Sequence, residues 1–279
     1  GFGKWVLGTG IVVFLLTQGD AIFVGKILGV TMLGFYQMAY RISNVPATEI
    51  THIISQVTFP AYSKLQDDIS KLKEAYAKVL QVIAFLSFPI GGLIFILAPD
   101  FIKIFLGEKW MPTVPAMQVL CIFGILRAYG ASIGSVLFGS GNPKIHAKLS
   151  FYQLIFLILI IYPLTVKFRL LGVCLAVTCS NLFVVTLGTL ILIKLSLFNL
   201  RILFTSLFFP FFSTFLFSLS IYWLKYVFGY QVNLFLFLLW ILIGIVVYTG
   251  SMLLWTKFTS YKIGELLNII FQAIKSVKK

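Results

Sequence analysis

The sequence predicts an all-α polytopic membrane protein with about eight transmembrane helices, and three observations carry that reading. The 279 residues are 60% hydrophobic and only 11% charged, with a mean hydropathy of +1.03; soluble domains run near 45–50% apolar and about 25% charged. Eight apolar runs, each long enough for a hydrocarbon core of about 30 Å, follow one another between short polar connections. Lysine and arginine crowd into alternate connections, as the positive-inside rule requires of a chain that weaves through a bilayer.

The runs come in order. Residues 5–28 form the first, interrupted by Thr17, Gln18, Gly19 and Asp20. Residues 29–33 read as a turn, and a second helix is expected over 34–62. Residues 66–78 turn strongly polar and read as an interfacial loop with a short amphipathic helix. The third run, 79–98, carries Pro89, Gly91 and Gly92, which fit tight packing or a bend. After an interfacial connection rich in Phe, Trp and charge come 114–138, with Arg127 near its centre, then 149–166, 170–193, 202–226 and 232–255. The tail has Ile263, Leu266, Leu267, Ile270 and Ile274 at near-helical spacing among lysines, which predicts a helix lying on the membrane surface. The predicted organisation is a six-helix lobe over 1–195, two additional transmembrane helices over 196–256 and a basic amphipathic tail over 257–279.

The chain is organised around the second of these helices. At 1.5 Å per residue it is about 43 Å long, yet it carries Arg41, Glu49 and His52, with Pro46 near its middle. Arg41 and Glu49 lie roughly 80° apart and two turns along, and His52 falls on the Glu49 side. Charge at membrane depth faces a protein interior or a wet cavity by default. Pro46 removes a backbone donor and crowds the carbonyl of Ile42, so a kink is expected there.

Counted by side, fourteen of the 22 basic residues fall on one face of the membrane and six on the other, with Arg41 and Arg127 inside spans. That places both ends in the cytoplasm and explains the +14 net charge without nucleic acid. Cys121, Cys174 and Cys179 all lie in apolar runs with no companion spacing, so neither a metal site nor a disulfide framework is indicated. No Ser–His–Asp set or phosphate-binding glycine loop occurs at workable spacing, so neither catalysis nor a cofactor is expected. The numbering opens at Gly1 with no initiator Met and no signal-like segment, and the expectation is a fragment whose N-terminal part is missing.

Four stretches look familiar: GDAIFVGKILGVTMLGFYQMAYRISNVP, SQVTFPAYSKLQDD, APDFIKIFLGEKWMPTVPAMQVL and ILRAYGASIGSVLFGSGNPK. Together, over about residues 1–185, the chain resembles the Wzx-type polysaccharide flippases of the multidrug/oligosaccharidyl-lipid/polysaccharide exporter superfamily. Within it, the branch exporting lipopolysaccharide, exopolysaccharide and teichuronic acid is most similar. The resemblance implies a fold of two six-helix lobes set as a V around a central cavity, often followed by two more helices. This chain would then be the second lobe of such a MOP/MATE-like transporter plus the extra pair, with the N-terminal lobe of the same protein as its missing partner. It implies a bacterial cytoplasmic membrane and a substrate of undecaprenyl-pyrophosphate-linked oligosaccharide, flipped by alternating access among membrane lipids. Arg41 followed by Pro46 matches an Arg-hydrophobic-x-x-x-Pro pattern of the family, and that residue alone is carried over, as a diphosphate contact.

Each candidate has a bland reading beside the functional one. Arg41 contacts substrate or snorkels to the near interface; Arg127, thirteen residues into its span, meets an anionic substrate or pairs with an acid such as Asp20 or Glu49. A guanidinium suits pyrophosphate because its planar fork donates to two oxygens at once. Asp20 balances charge or carries a coupling ion, or it caps its helix and pairs with Lys26. Glu49 balances an arginine or gates, His52 relays protons or packs, and Pro46 is the hinge. The Gly130–Gly134 pair reads as close helix packing. Two rivals stand beside the flippase. A multidrug/cation antiporter of the same superfamily should have more acid than base inside its spans. A membrane polysaccharide polymerase or ligase should have a sizeable outer loop.

Overall fold

The computed structural model describes residues 2–45, 47–48, 58, 62–65, 68–229 and 233–258. Among them the chain is helical throughout, with α1 Phe2–Ile27, α2 Val30–Ser43, α3 Ile69–Phe101, α4 Thr113–Gly139, α5 Pro143–Phe168, α6 Leu170–Lys194, α7 Leu200–Phe228 and α8 Leu234–Phe258. Seven of these helices (all but α2) are long and apolar enough to cross a membrane. This is the multi-pass all-α architecture that the composition requires.

The turn after α1 is shorter than the sequence suggests. Gly29 has φ +89°, a region that glycine alone enters at no steric cost, so Leu28 and Gly29 suffice for the turn and α2 starts at Val30 instead of Gly34. Regular α-helix then stops at Ser43, where the Asn44 amide donates to the Tyr40 carbonyl at 3.0 Å. The rest of the expected 34–62 helix falls mostly outside the described residues, as do Pro46, Glu49 and His52.

The polar stretch at 66–78 is not a separate amphipathic helix. From Ile69 it is the first turns of α3. Leu72, Tyr76 and Leu80 recur every four residues and are buried, while Lys78 and Glu74 pair at 2.8 Å on the outside. Asp68 caps the helix by accepting from the Lys71 amide at 3.1 Å. That amide, and then the Lys71 ammonium, hold the Asp68 carboxyl below the usual carboxylate range. Pro89 and Pro99 are both accommodated inside the helix, which ends in a π-helical turn, Ile102–Leu106.

Helices α4 and α6 are the most enclosed, with more than half of their spans buried. Residues Val24, Tyr36, Met117, Phe123, Ile161 and Val173 anchor a core at one end of the bundle. Tyr62, Tyr76, Leu137, Leu149 and Leu192 anchor a second core at the other. Close approach between α2 and α4 depends on Gly124, where an added Cβ would lie 2.3 Å from the Ser43 carbonyl oxygen. The Ser43 hydroxyl ties the same crossing by donating to the Met117 carbonyl at 3.0 Å. Gly130 and Gly134 seat Val185 and His146 in the same way.

Helices α7 and α8 pack on each other and on α3 through Val82, Leu97, Phe217, Ile221, Trp240 and Met252. The Tyr248 hydroxyl donates to the Phe85 carbonyl at 2.8 Å. Near the far end of α3 the Lys225 ammonium meets the Asp100 carboxylate, with side chains only 9% and 11% exposed. Lys225 also donates to the Ile96 carbonyl at 3.4 Å.

Candidate functional site

Asp20 sits three-quarters of the way along α1 and is 3% exposed. It neither caps the helix nor pairs with Lys26. Its Oδ2 accepts from the Tyr36 hydroxyl at 2.5 Å, and its Oδ1 from the Ala21 amide at 2.7 Å. One turn further along α2, the Tyr40 hydroxyl accepts from Arg127 Nη1 at 2.7 Å. The Tyr36 and Tyr40 rings are 5.9 Å apart, and Tyr40 packs against Phe123 at 5.7 Å. Two tyrosines therefore stand between the buried acid and the mid-span base, which do not form an ion pair with each other. The guanidinium also lies 5.9 Å from the centre of the Phe123 ring, within reach of its negative face.

Arg127 opens onto a half-open cavity of about 300 Å³ between α1, α2, α4, α5 and α6. Thr17, Gln153, Ser180 and Asn181 bring polar groups to its wall, and His146 lies toward the end where α5 begins. Among the described residues none of those lining it is a carboxylate, and Arg127 gives this wall a cationic character.

Arg41 follows Tyr40 and so points about 100° away around α2. It is exposed, on a stripe with Gln37, Val45 and Thr48 at helical spacing. The two arginines are thus on different sides of one helix, Arg127 inside the helix cluster and Arg41 outside it. Among the described residues neither is within ion-pair distance of a carboxylate. The structure brings Asp20 and Arg127 into one tyrosine-linked set, and the remaining candidates, Glu49, His52 and Pro46, lie outside the described residues.

Sequence reasoning missed Tyr36, Tyr40, Gln153 and Asn181. Asn181 and Gln153 did leave a signal, since each is an amide well inside an apolar run. The tyrosines left none, because membrane helices carry tyrosine for other reasons.

Residues 1–115 match the family described as "Polysaccharide biosynthesis protein". The resemblance read from the sequence holds over this family's stretch and somewhat beyond it. The lipopolysaccharide biosynthesis protein WzxC of Escherichia coli (strain K12) is 34% identical over 152 residues, 54% of this chain and 31% of that protein. The teichuronic acid biosynthesis protein TuaB of Bacillus subtilis (strain 168) is 34% identical over 151 residues, 54% of this chain and 30% of its own length. The chain thus spans about a third of the length of these relatives. Among solved structures, the lipid II flippase MurJ in an inward closed conformation superposes with a TM-score of 0.70 at 20% identity, covering 89% of this chain and 52% of that one. The fold of this chain is therefore similar to that of about half of that structure.

Proposed function

We propose that this chain forms the second lobe, over residues 1–195, and the two extra helices, over 196–256, of a carrier of lipid-pyrophosphate-linked oligosaccharide. It would flip these repeat units across the bacterial cytoplasmic membrane for lipopolysaccharide or exopolysaccharide synthesis, a transport role with no catalytic step. The observation that carries this reading is Arg41. It lies about 17 Å along α2 from the helix start, too deep for lipid to be its natural surrounding, yet it is exposed beside Gln37 and Thr48. A polar stripe at that depth suits a hydrated passage closed by another lobe.

In this mechanism Arg41 meets the pyrophosphate from the passage, its fork donating to two oxygens at once. Arg127, held by Tyr40 on the inner side of the same helix, receives the adjoining head group. Asp20 and Glu49 balance these cations when no anion is bound, His52 relays protons, and Pro46 lets the second helix bend as the lobes rock by alternating access. Both ends of the chain and the basic tail of 257–279 face the cytoplasm. A cavity whose described lining holds a guanidinium and no carboxylate favours anions over the cationic drugs of an antiporter.

The test is polysaccharide export in a flippase-null strain complemented with the full-length parent gene carrying Arg41→Ala or Arg127→Ala, with membrane levels matched by immunoblot. Loss of export with lipid-linked repeat units held on the cytoplasmic face is expected. Full export from both variants would reduce the arginines to structural residues, and an unmutated parent that restores nothing would end the flippase reading.

A further inference from the structure

On its exposed side, where it meets α3, helix α7 carries an open groove of about 510 Å³ that shares no residue with the Arg127 cavity. Leu200, Leu203, Leu207 and Phe211 line it from α7, and Phe88 lines it from α3. Spacings of three and four keep these positions on one side of α7. Phe204 and Phe208 complete that wall, their rings stacked 5.0 Å apart, and Phe212 extends the stack at 5.9 Å. Among the described residues no polar side chain lines the groove. From Leu200 to Phe211 it runs about 17 Å along the helix. There Phe88 and Phe211 meet edge to face, 5.9 Å apart. One leaflet of hydrocarbon is about 15 Å deep, so the groove spans a single leaflet. A methylene takes about the room of a water, and the volume suits one ordinary acyl chain.

The shallow end of the groove is cationic. Arg201 lies in the first turn of α7, its amide donating to the Asn199 side chain at 3.1 Å, two turns before Phe208 on the same side. Lys194 ends α6, and the 195–199 connection between the two is pinned by the buried Leu197 and Phe198. Both cations are exposed, and among the described residues neither is within ion-pair distance of a carboxylate. Both belong to the more basic side of the chain. A zwitterionic lipid would fill the slot but bring its own ammonium to these cations. A polyprenyl carrier has the phosphate, but it is far longer than one leaflet is deep and would run past Phe211.

We infer that the α3–α7 groove binds one anionic phospholipid from the leaflet on the more basic side. Its acyl chain lies along Leu203, Leu207 and Phe211, and its phosphate is met by Arg201 and Lys194. The lipid fills the seam between the two helices, so that α7 is held on α3 by lipid as well as by protein. This binding needs neither substrate nor transport, and it stands or falls apart from the carrier reading.

The experiment places the photo-reactive residue p-benzoylphenylalanine at Phe208 of the full-length parent protein. The nanodiscs contain equal phosphatidylglycerol and phosphatidylethanolamine with identical chains, and a minor share of polyprenyl phosphate. After illumination, mass spectrometry identifies the cross-linked partner. Phosphatidylglycerol should exceed phosphatidylethanolamine about tenfold at Phe208, since each basic group near an anionic lipid contributes about 1 kcal/mol. The same probe at Val246, exposed on α8, should return the bulk ratio. Lys194→Gln with Arg201→Gln should bring Phe208 to the bulk ratio, whereas Lys194→Arg with Arg201→Lys should keep the enrichment. Both cations are exposed, so these variants leave the fold intact. A bulk ratio at Phe208, or equal enrichment at Val246, would reduce the groove to ordinary lipid-facing surface. Enrichment that survives the glutamine pair would remove the head-group contact and overturn the inference. Polyprenyl phosphate as the enriched adduct, or cross-links into the chain's own residues 259–279, would give the groove to another occupant and overturn it as well.

Discussion

Replacing Lys225 with Met should destabilise the protein far more than replacing Lys225 and Asp100 together. The two side chains are 9% and 11% exposed and lie where α3 and α7 meet, beside the apolar cluster of Leu97, Phe217, Ile221 and Phe237. Lys225→Met alone leaves the Asp100 carboxylate in that setting with its cation gone, and also removes the bond to the Ile96 carbonyl. Removing one member of a buried pair costs about 3–5 kcal/mol, because the survivor is charged and unsolvated. Lys225→Met with Asp100→Leu removes both charges and keeps most of the volume, and such replacements are neutral or stabilising by about 1–4 kcal/mol. The two variants should therefore differ by at least about 3 kcal/mol. The assay is reversible unfolding of purified protein in mixed micelles, followed by tryptophan fluorescence, with both single variants completing a double-mutant cycle. Single variants each within about 1 kcal/mol of the parent would refute the reasoning, since that is the behaviour of a solvated surface pair.

Gly124→Ala should cost about 1–3 kcal/mol in the same assay, because the new Cβ would meet the Ser43 backbone oxygen, which cannot rotate away as a side chain would. Tyr36→Phe should cost about 1–3 kcal/mol by taking the hydroxyl from the buried Asp20 Oδ2. Tyr222→Phe, on the exposed side of α7, is the control and should change nothing measurable.

How much of this was legible in the sequence depends on whether the relevant interaction is local. Spans declare themselves locally, so α1 and α3 to α8 each fall on an expected apolar run. Helix starts do so less reliably. The charges at 66–78 hid the true beginning of α3, although Leu72, Tyr76 and Leu80 already mark one helical face that continues into the span. Arg127 stood out because a guanidinium thirteen residues deep has no route to water, and it does line a cavity. What it bonds to was not legible. The sequence offered only acids as partners, and the structure gives it the phenol of Tyr40, 87 positions away. Asp100 falls in the interfacial connection after the 79–98 run and Lys225 at the end of the 202–226 run, with nothing local to join them. Their union across 125 positions follows from the packing of α7 on α3, for which no local pattern speaks.

The 33 residues of α3 make a rod about 50 Å long, well beyond the roughly 30 Å of hydrocarbon it has to cross. It touches α4 on one side and carries α7 and α8 on the other, fastened by the Tyr248 hydroxyl and the Lys225 ammonium. Such a rod behaves as a lever: a tilt of about 10° would sweep its far end through roughly 9 Å. The passengers α7 and α8 would swing with it as freight on a boom, keeping their distances to α3 while changing their distances to everything else. Spin labels placed along α3 and α8 should therefore report a constant separation in every conformation the chain adopts.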